Sequence, residues 1–179
     1  MKEILFIVQT ISALLLFSSK YFLATNNSLG WWFSVAGYLL ACFYNVKTDL
    51  KIYALVVFSL ALLSLYGGYK WYLEVTGIRS FDYLVIISTI LGAAFLAKKG
   101  WESKKALWQH QTIGTVLFMI AFLLLGFRQE EGWILMLFGH FLTGYIYVKT
   151  KAYVFVTVQA FSAYIALAQI LSLPLPFSN

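Results

Sequence analysis

The residues whose types and spacing suit ligand chemistry lie inside long apolar runs. Trp133, Met136 and His140 are spaced i, i+3 and i+7, so on a helix they share one face. Ser59 and Tyr66 share a face by the same spacing. Gln159 sits roughly 12 Å into the last apolar run, at 1.5 Å per residue. Polar groups in hydrocarbon are costly and face a cavity or a partner helix. An aromatic stack with a few donors and acceptors suits a flat heterocycle carrying hydroxyls. His140, Gln159, Trp133, Tyr38, Ser59 and Tyr66 are therefore the candidate substrate-binding residues. The same residues also have structural readings. Each tryptophan suits an interfacial belt, Gln9 and Gln111 suit interhelical hydrogen bonding, and His140 suits a satisfied core position.

Catalytic and metal chemistry find little to use. The carboxylates Glu3, Asp49, Glu74, Asp82, Glu102, Glu130 and Glu131 fall at expected helix ends or loops. No nucleophile–base pair is readable, so the chain is not read as an enzyme and has no expected catalytic residue. His110 and His140 have no cysteine or carboxylate at ligand spacing, so no metal is expected. No glycine-rich phosphate loop is present, and no cofactor is expected.

The elements that position these residues follow from composition. The chain has 179 residues, 61% hydrophobic and 11% charged, with a mean hydropathy of +0.81. A soluble domain of this size cannot hide that much apolar surface, whereas lipid solvates it. Seven apolar segments are readable, at 4–23, 29–46, 50–73, 81–97, 106–127, 133–148 and 152–173. They are continuously apolar rather than alternating, which predicts an all-α membrane protein with seven transmembrane helices, not a barrel. The first segment lacks a small-x-small cleavage site and is expected to remain as a span. The lone Cys42 makes no intramolecular disulfide.

Displaced by 102 positions, the sequence meets itself. Gln9-Thr10-Ile11 falls on Gln111-Thr112-Ile113, Gly30-Trp31 on Gly132-Trp133, Gly37 on Gly139 and Val46-Lys47-Thr48 on Val148-Lys149-Thr150. After a two-residue deletion, Lys51 and Tyr53 meet Lys151 and Tyr153, and Ser59 meets Gln159. In the main register His140 corresponds to Tyr38. This reads as a duplication. Three helices per unit is an odd number, so one linking helix keeps the copies parallel, about an axis along the membrane normal. The expected division is 1–76 for the first three-helix repeat, 77–103 for the linking helix and a cytoplasmic loop, and 104–179 for the second repeat.

Lysine placement sets an orientation. With the N-terminus cytoplasmic, that side holds Lys2, Lys47, Lys51, Lys98, Lys99, Lys104, Lys105, Lys149 and Lys151. The other side holds only Lys20, Lys70, Arg79 and Arg128. The expectation is a multi-pass protein of the cell inner (cytoplasmic) membrane with its C-terminus outside. Lys20, near the outer end of the first helix, can snorkel.

The architecture resembles SWEET sugar transporters and PnuC-type vitamin transporters. Gly30-Trp31-Trp32, Gly37 and the stretch Tyr66-Gly67-Gly68-Tyr69-Lys70-Trp71 look like the PnuC type, which often closes its third core helix with Tyr-Gly-x-x-x-Trp. The membrane prolines of the SWEET pattern are missing, since Pro174 and Pro176 lie at the tail. The resemblance implies a facilitative carrier for a vitamin or nucleoside-like solute: nicotinamide riboside, thiamin, riboflavin or a deoxynucleoside. Members taking nicotinamide riboside carry Trp-x-x-Trp-x-x-x-Asn on core helix six. Of the matching positions Trp133, Met136 and His140, only the first retains that pattern. The expected partners are the small-molecule solute and the lipid bilayer, with no nucleic acid; a homo-oligomer stays open. The alternatives are a cargo receptor or assembly factor on the same fold and, ranked below it, a membrane enzyme. With no carboxylate in a span and His140 as the only central titratable group, transport without ion coupling is expected.

Overall fold

The computed structural model describes residues 2–48, 51–74, 78–102, 106–149 and 153–175. Among them run seven helices: α1 (Lys2–Ala24), α2 (Leu29–Lys47), α3 (Lys51–Tyr72), α4 (Ser80–Glu102), α5 (Ala106–Gly126), α6 (Glu131–Lys149) and α7 (Tyr153–Ile170). Each forms where an apolar run lacks proline. The expected divisions after residues 76 and 103 fall outside the described residues, as do Lys104, Lys105 and Lys151.

Among the described residues five helices, α1 to α5, are long and apolar enough to cross a membrane. The described apolar part of α7, Phe155–Ile170, is shorter. The length of α6 is adequate, but Gly132, Trp133, Gly139 and His140 dilute its apolar run, and all four are buried. Large apolar side chains cover the outward faces, among them Phe6, Leu39, Leu55, Ile87, Leu91 and Phe141. The expected break at 98–105 begins later than residue 98. Helix α4 continues to Glu102, whose carboxylate meets Lys99 at 3.1 Å and Lys98 at 4.0 Å along the same helix.

Among the described residues, α1 packs on α2 and α2 on α3, and α5 packs on α6 and α6 on α7. The two sets meet where α3 packs on α5 and α1 on α7, while α4 packs on α5. The core lies along these meeting lines, with Trp31, Trp71, Phe122, Leu125, Met136 and Ile165 buried.

The corners between α1 and α2 and between α5 and α6 share their hydrogen bonds. Asn26 N–H donates to Leu23 O and Asn27 N–H to Phe22 O. At 102 positions on, Arg128 N–H donates to Leu125 O and Gln129 N–H to Leu124 O. Both helices end with a left-handed residue, Asn26 at φ 55° and Arg128 at φ 59°, which closes a Schellman motif. The next helix then starts in the same way. Gly30 and Trp31 N–H groups donate to Asn27 O and Ser28 O, and Gly132 and Trp133 to Gln129 O and Glu130 O. Gly30 and Gly132 let the paired helices approach: a Cβ would lie 2.7 Å from the Ser19 carbonyl oxygen at Gly30 and 2.9 Å from that of Ala121 at Gly132.

Candidate functional site

The centre of the molecule is aromatic. Trp31, with no exposed surface, meets Trp71 edge-on at 5.7 Å and Phe122 at 5.7 Å between ring centroids. Tyr38, two turns along α2 from Trp31, meets Phe122 edge-on at 5.8 Å. One turn before Phe122 on α5, Phe118 meets the His140 ring at 4.9 Å. Helices α2, α3, α5 and α6 thus contribute one continuous aromatic body. The stretch from Tyr66 to Trp71 makes it fit. Gly67 leaves room for the Trp31 ring, since a Cβ there would lie 2.5 Å from Trp31 Cζ3. Trp71 Nε1 donates to Leu125 O at 2.9 Å.

Set into this body is a group of polar atoms. His140 Nδ1 meets Gln159 Oε1 at 2.5 Å, joining α6 to α7. With Gln159 Oε1 accepting, Nδ1 is the donor, and the tautomer that carries its proton there leaves Nε2 as an acceptor. Lys20 reaches inward from α1, its Nζ 4.3 Å from the Phe122 centroid and 5.9 Å from that of Tyr38. Four buried side-chain atoms have no hydrogen-bond partner among the described residues: Lys20 Nζ, Trp31 Nε1, Ser34 Oγ and His140 Nε2. All four belong to this central region. Native interiors leave few such groups, and an unpaired one is destabilising. Their concentration at one place makes this region the candidate site.

The structure separates the sequence-derived candidates. His140 and Gln159 are bonded, Tyr38 joins them through Phe122 and Lys20, and Trp133 is buried with the core. Ser59 and Tyr66 are elsewhere. Ser59 Oγ donates to Leu55 O on its own helix at 3.0 Å, and both residues line an open cavity of about 960 Å³ between α3 and α4. Its other walls include Leu62, Phe81, Leu84 and Met119. Tyr66 is held there by its hydroxyl, which donates to Asp82 Oδ1 at 2.7 Å.

Several site features escaped the sequence reading. Lys20 does not snorkel; it is 2% exposed. His140 is therefore not the only titratable group at the centre. Trp31 and Ser34, buried on the face of α2 that carries Tyr38, complete the group. The repeat register held the signal, because Trp31, Ser34 and Tyr38 correspond to Trp133, Met136 and His140, and Lys20 to Phe122. Asp82, expected at a helix end, is in the first turn of α4 and buried, with Lys70 Nζ at 2.8 Å from its Oδ2. Of the tryptophans, Trp31, Trp71 and Trp133 are interior, while Trp32 and Trp101 are exposed.

Among the described residues no three His, Cys, Asp or Glu side chains group into a metal site. What the centre offers is aromatic surface, three unused donors and one acceptor. That is chemistry for binding a small polar aromatic molecule. Comparison of the chain with family models, with curated proteins and with solved structures finds no match.

Proposed function

We propose that this protein is a facilitative membrane carrier for a small water-soluble vitamin or nucleoside-like solute, similar to PnuC-type transporters. In this reading all seven helices span the cytoplasmic membrane, with the N-terminus inside and the C-terminus outside. The two three-helix repeats, α1–α3 and α5–α7, lie parallel about an axis along the membrane normal, and α4 links them. The matching corners at α1–α2 and α5–α6 support the repeat, and the apolar outward faces support the bilayer.

The observation that carries the functional reading is the set of four unpartnered buried polar atoms inside an aromatic core. Each of these groups is destabilising while it stays unpaired. A solute bound between the repeats completes their hydrogen bonds. Rocking of the repeats about that solute opens the site alternately to each side. Among the described residues no carboxylate pairs with the central polar atoms. Asp82 is tied to Lys70, Tyr66 and the Arg79 N–H at the α3–α4 end, so a carboxylate-based ion coupling step has no group to use. The test is uptake of labelled vitamins and nucleosides into proteoliposomes. Saturable entry of one solute class is expected, and entry no faster than into empty liposomes for the whole class would refute the reading.

A further inference from the structure

The charge balance of the central site narrows its ligand. Lys20 is 2% exposed, and its ammonium has no hydrogen-bond partner and no carboxylate within ion-pair distance among the described residues. Its nearest aromatic neighbours, the Phe122 and Tyr38 rings, offer cation–π attraction but no counter-charge. A lysine buried without a counter-charge is destabilising, because it either keeps an unpaired ammonium or gives up its proton, whereas an anion beside it would hold the charged form. Phe122 and Met136, the residues that correspond to Lys20 and Ser34 in the second half, are apolar. The polarity is thus concentrated on the α1–α2 side of the site. That side presents three donors, one of them able to carry a positive charge: the Lys20 amine, the Trp31 indole N–H and the Ser34 hydroxyl. The opposite wall presents one acceptor, His140 Nε2, held by the bond from Nδ1 to Gln159.

We propose that the central site takes a small, flat heteroaromatic acid whose carboxylate pairs with the Lys20 ammonium and whose far edge donates to His140. The inference rests on the solute-carrier reading and specifies the charge of its solute. A carboxylate brings one negative charge and two oxygens able to accept from several donors, which matches one ammonium and two neutral donors. A phosphate monoester brings nearly two charges and leaves an excess in a dry site. A cationic solute such as thiamin meets Lys20 with like charge in low dielectric and is rejected. The ring itself lies against Phe122, Tyr38 and Phe118.

The experiment is thermal unfolding of the detergent-purified full chain with ligands matched in ring and size. Nicotinate is compared with nicotinamide, orotate with uracil, and uridine 5′-monophosphate with uridine; thiamin serves as the cation. The expected result is that an acid raises the melting temperature while its neutral partner, the phosphate ester and thiamin do not. Lys20→Met should melt higher than the wild type without ligand, since the unpaired charge is gone, and should lose the response to the acid. Lys20→Gln serves as a second variant with the same expected loss of response. A neutral partner that stabilises as well as its acid, with the response intact in both variants, overturns the carboxylate assignment and leaves the carrier reading standing. Stabilisation by the phosphate ester in place of the carboxylates overturns it in the same way. No shift with any ligand overturns it too, and the uptake assay then decides the carrier reading separately. A lower melting temperature in both ligand-free variants shows that Lys20 already has a partner in the fold and also overturns it.

Discussion

Lys20 Nζ lies 4.3 Å from the centroid of the Phe122 ring, and these two residues are 102 positions apart, the offset at which the sequence recurs. A cation in one half therefore rests on the aromatic residue that replaces it in the other. Two positions 102 apart in the sequence thus meet side by side at the centre. At this offset the two side chains differ, lysine against phenylalanine, so the amine has an aromatic neighbour and no counterpart of its own kind.

The fit of Trp31 against α3 depends on Gly67. A Cβ at Gly67 would lie 2.5 Å from the Trp31 ring, whereas at Gly68 the closest atom is Trp31 Cβ at 3.2 Å. Gly67→Ala should destabilise the protein by about 1–3 kcal/mol through overpacking. Gly68→Ala should be the milder change of the two. Melting temperatures in one detergent compare them, and equal values would contradict the packing described.

The buried pair between Lys70 and Asp82 ties α3 to α4, with 1% and 2% side-chain exposure. Removing one member of such a pair costs about 3–5 kcal/mol, because the other charge stays buried. Asp82→Asn should lower the melting temperature sharply, and the double change Lys70→Met with Asp82→Leu should recover much of the loss. Tyr66→Phe removes a hydrogen bond to the carboxylate and should cost about 1.5–3 kcal/mol. A wild-type melting temperature in Asp82→Asn would show that the pair does not hold α4.

Gln159 holds the His140 ring from α7 at 2.5 Å. Gln159→Ala should leave the protein folded, because the side chain is half-buried. It should weaken solute binding by about tenfold, the equivalent of ~1.4 kcal/mol for one lost constraint. His140→Ala should weaken it at least as much. Affinity from ligand-dependent melting is the readout, and unchanged affinity in both variants would remove these residues from the site.

Orientation is tested with single introduced cysteines after replacement of Cys42. Positions 47, 98 and 149 should be protected from a membrane-impermeant thiol reagent in intact cells, and position 128 should react. Labelling at 98 from outside would invert the proposed topology.

The helices were legible because each is a continuous apolar run, and their ends moved by only a few residues. Helix α4 runs past its expected end because Lys98 and Lys99 pair with Glu102 inside the helix rather than marking a loop. His140 and Gln159 were legible through the repeat register, and the structure bonds them. The rotation of α3 about its axis was not. Its sequence is apolar nearly all round, so periodicity does not say which face turns inward, and Ser59 and Tyr66 turn toward α4. Lys20 was misread because a lysine near a span end has two outcomes, outward to water or inward to the core. Only the packing of α1 against α2 and α7 separates them. The partnership of Lys70 with Asp82 joins two helices across a turn, and spacing alone does not reveal it.

The central claim is that the two repeats carry a solute passively around a site between them. It is tested most directly by the steady-state level of labelled solute inside proteoliposomes, with and without an imposed proton or sodium gradient. The account predicts that the internal concentration rises to the external one and stops there under every gradient, with slower entry in Gln159→Ala. Accumulation above the external concentration under either gradient would contradict it.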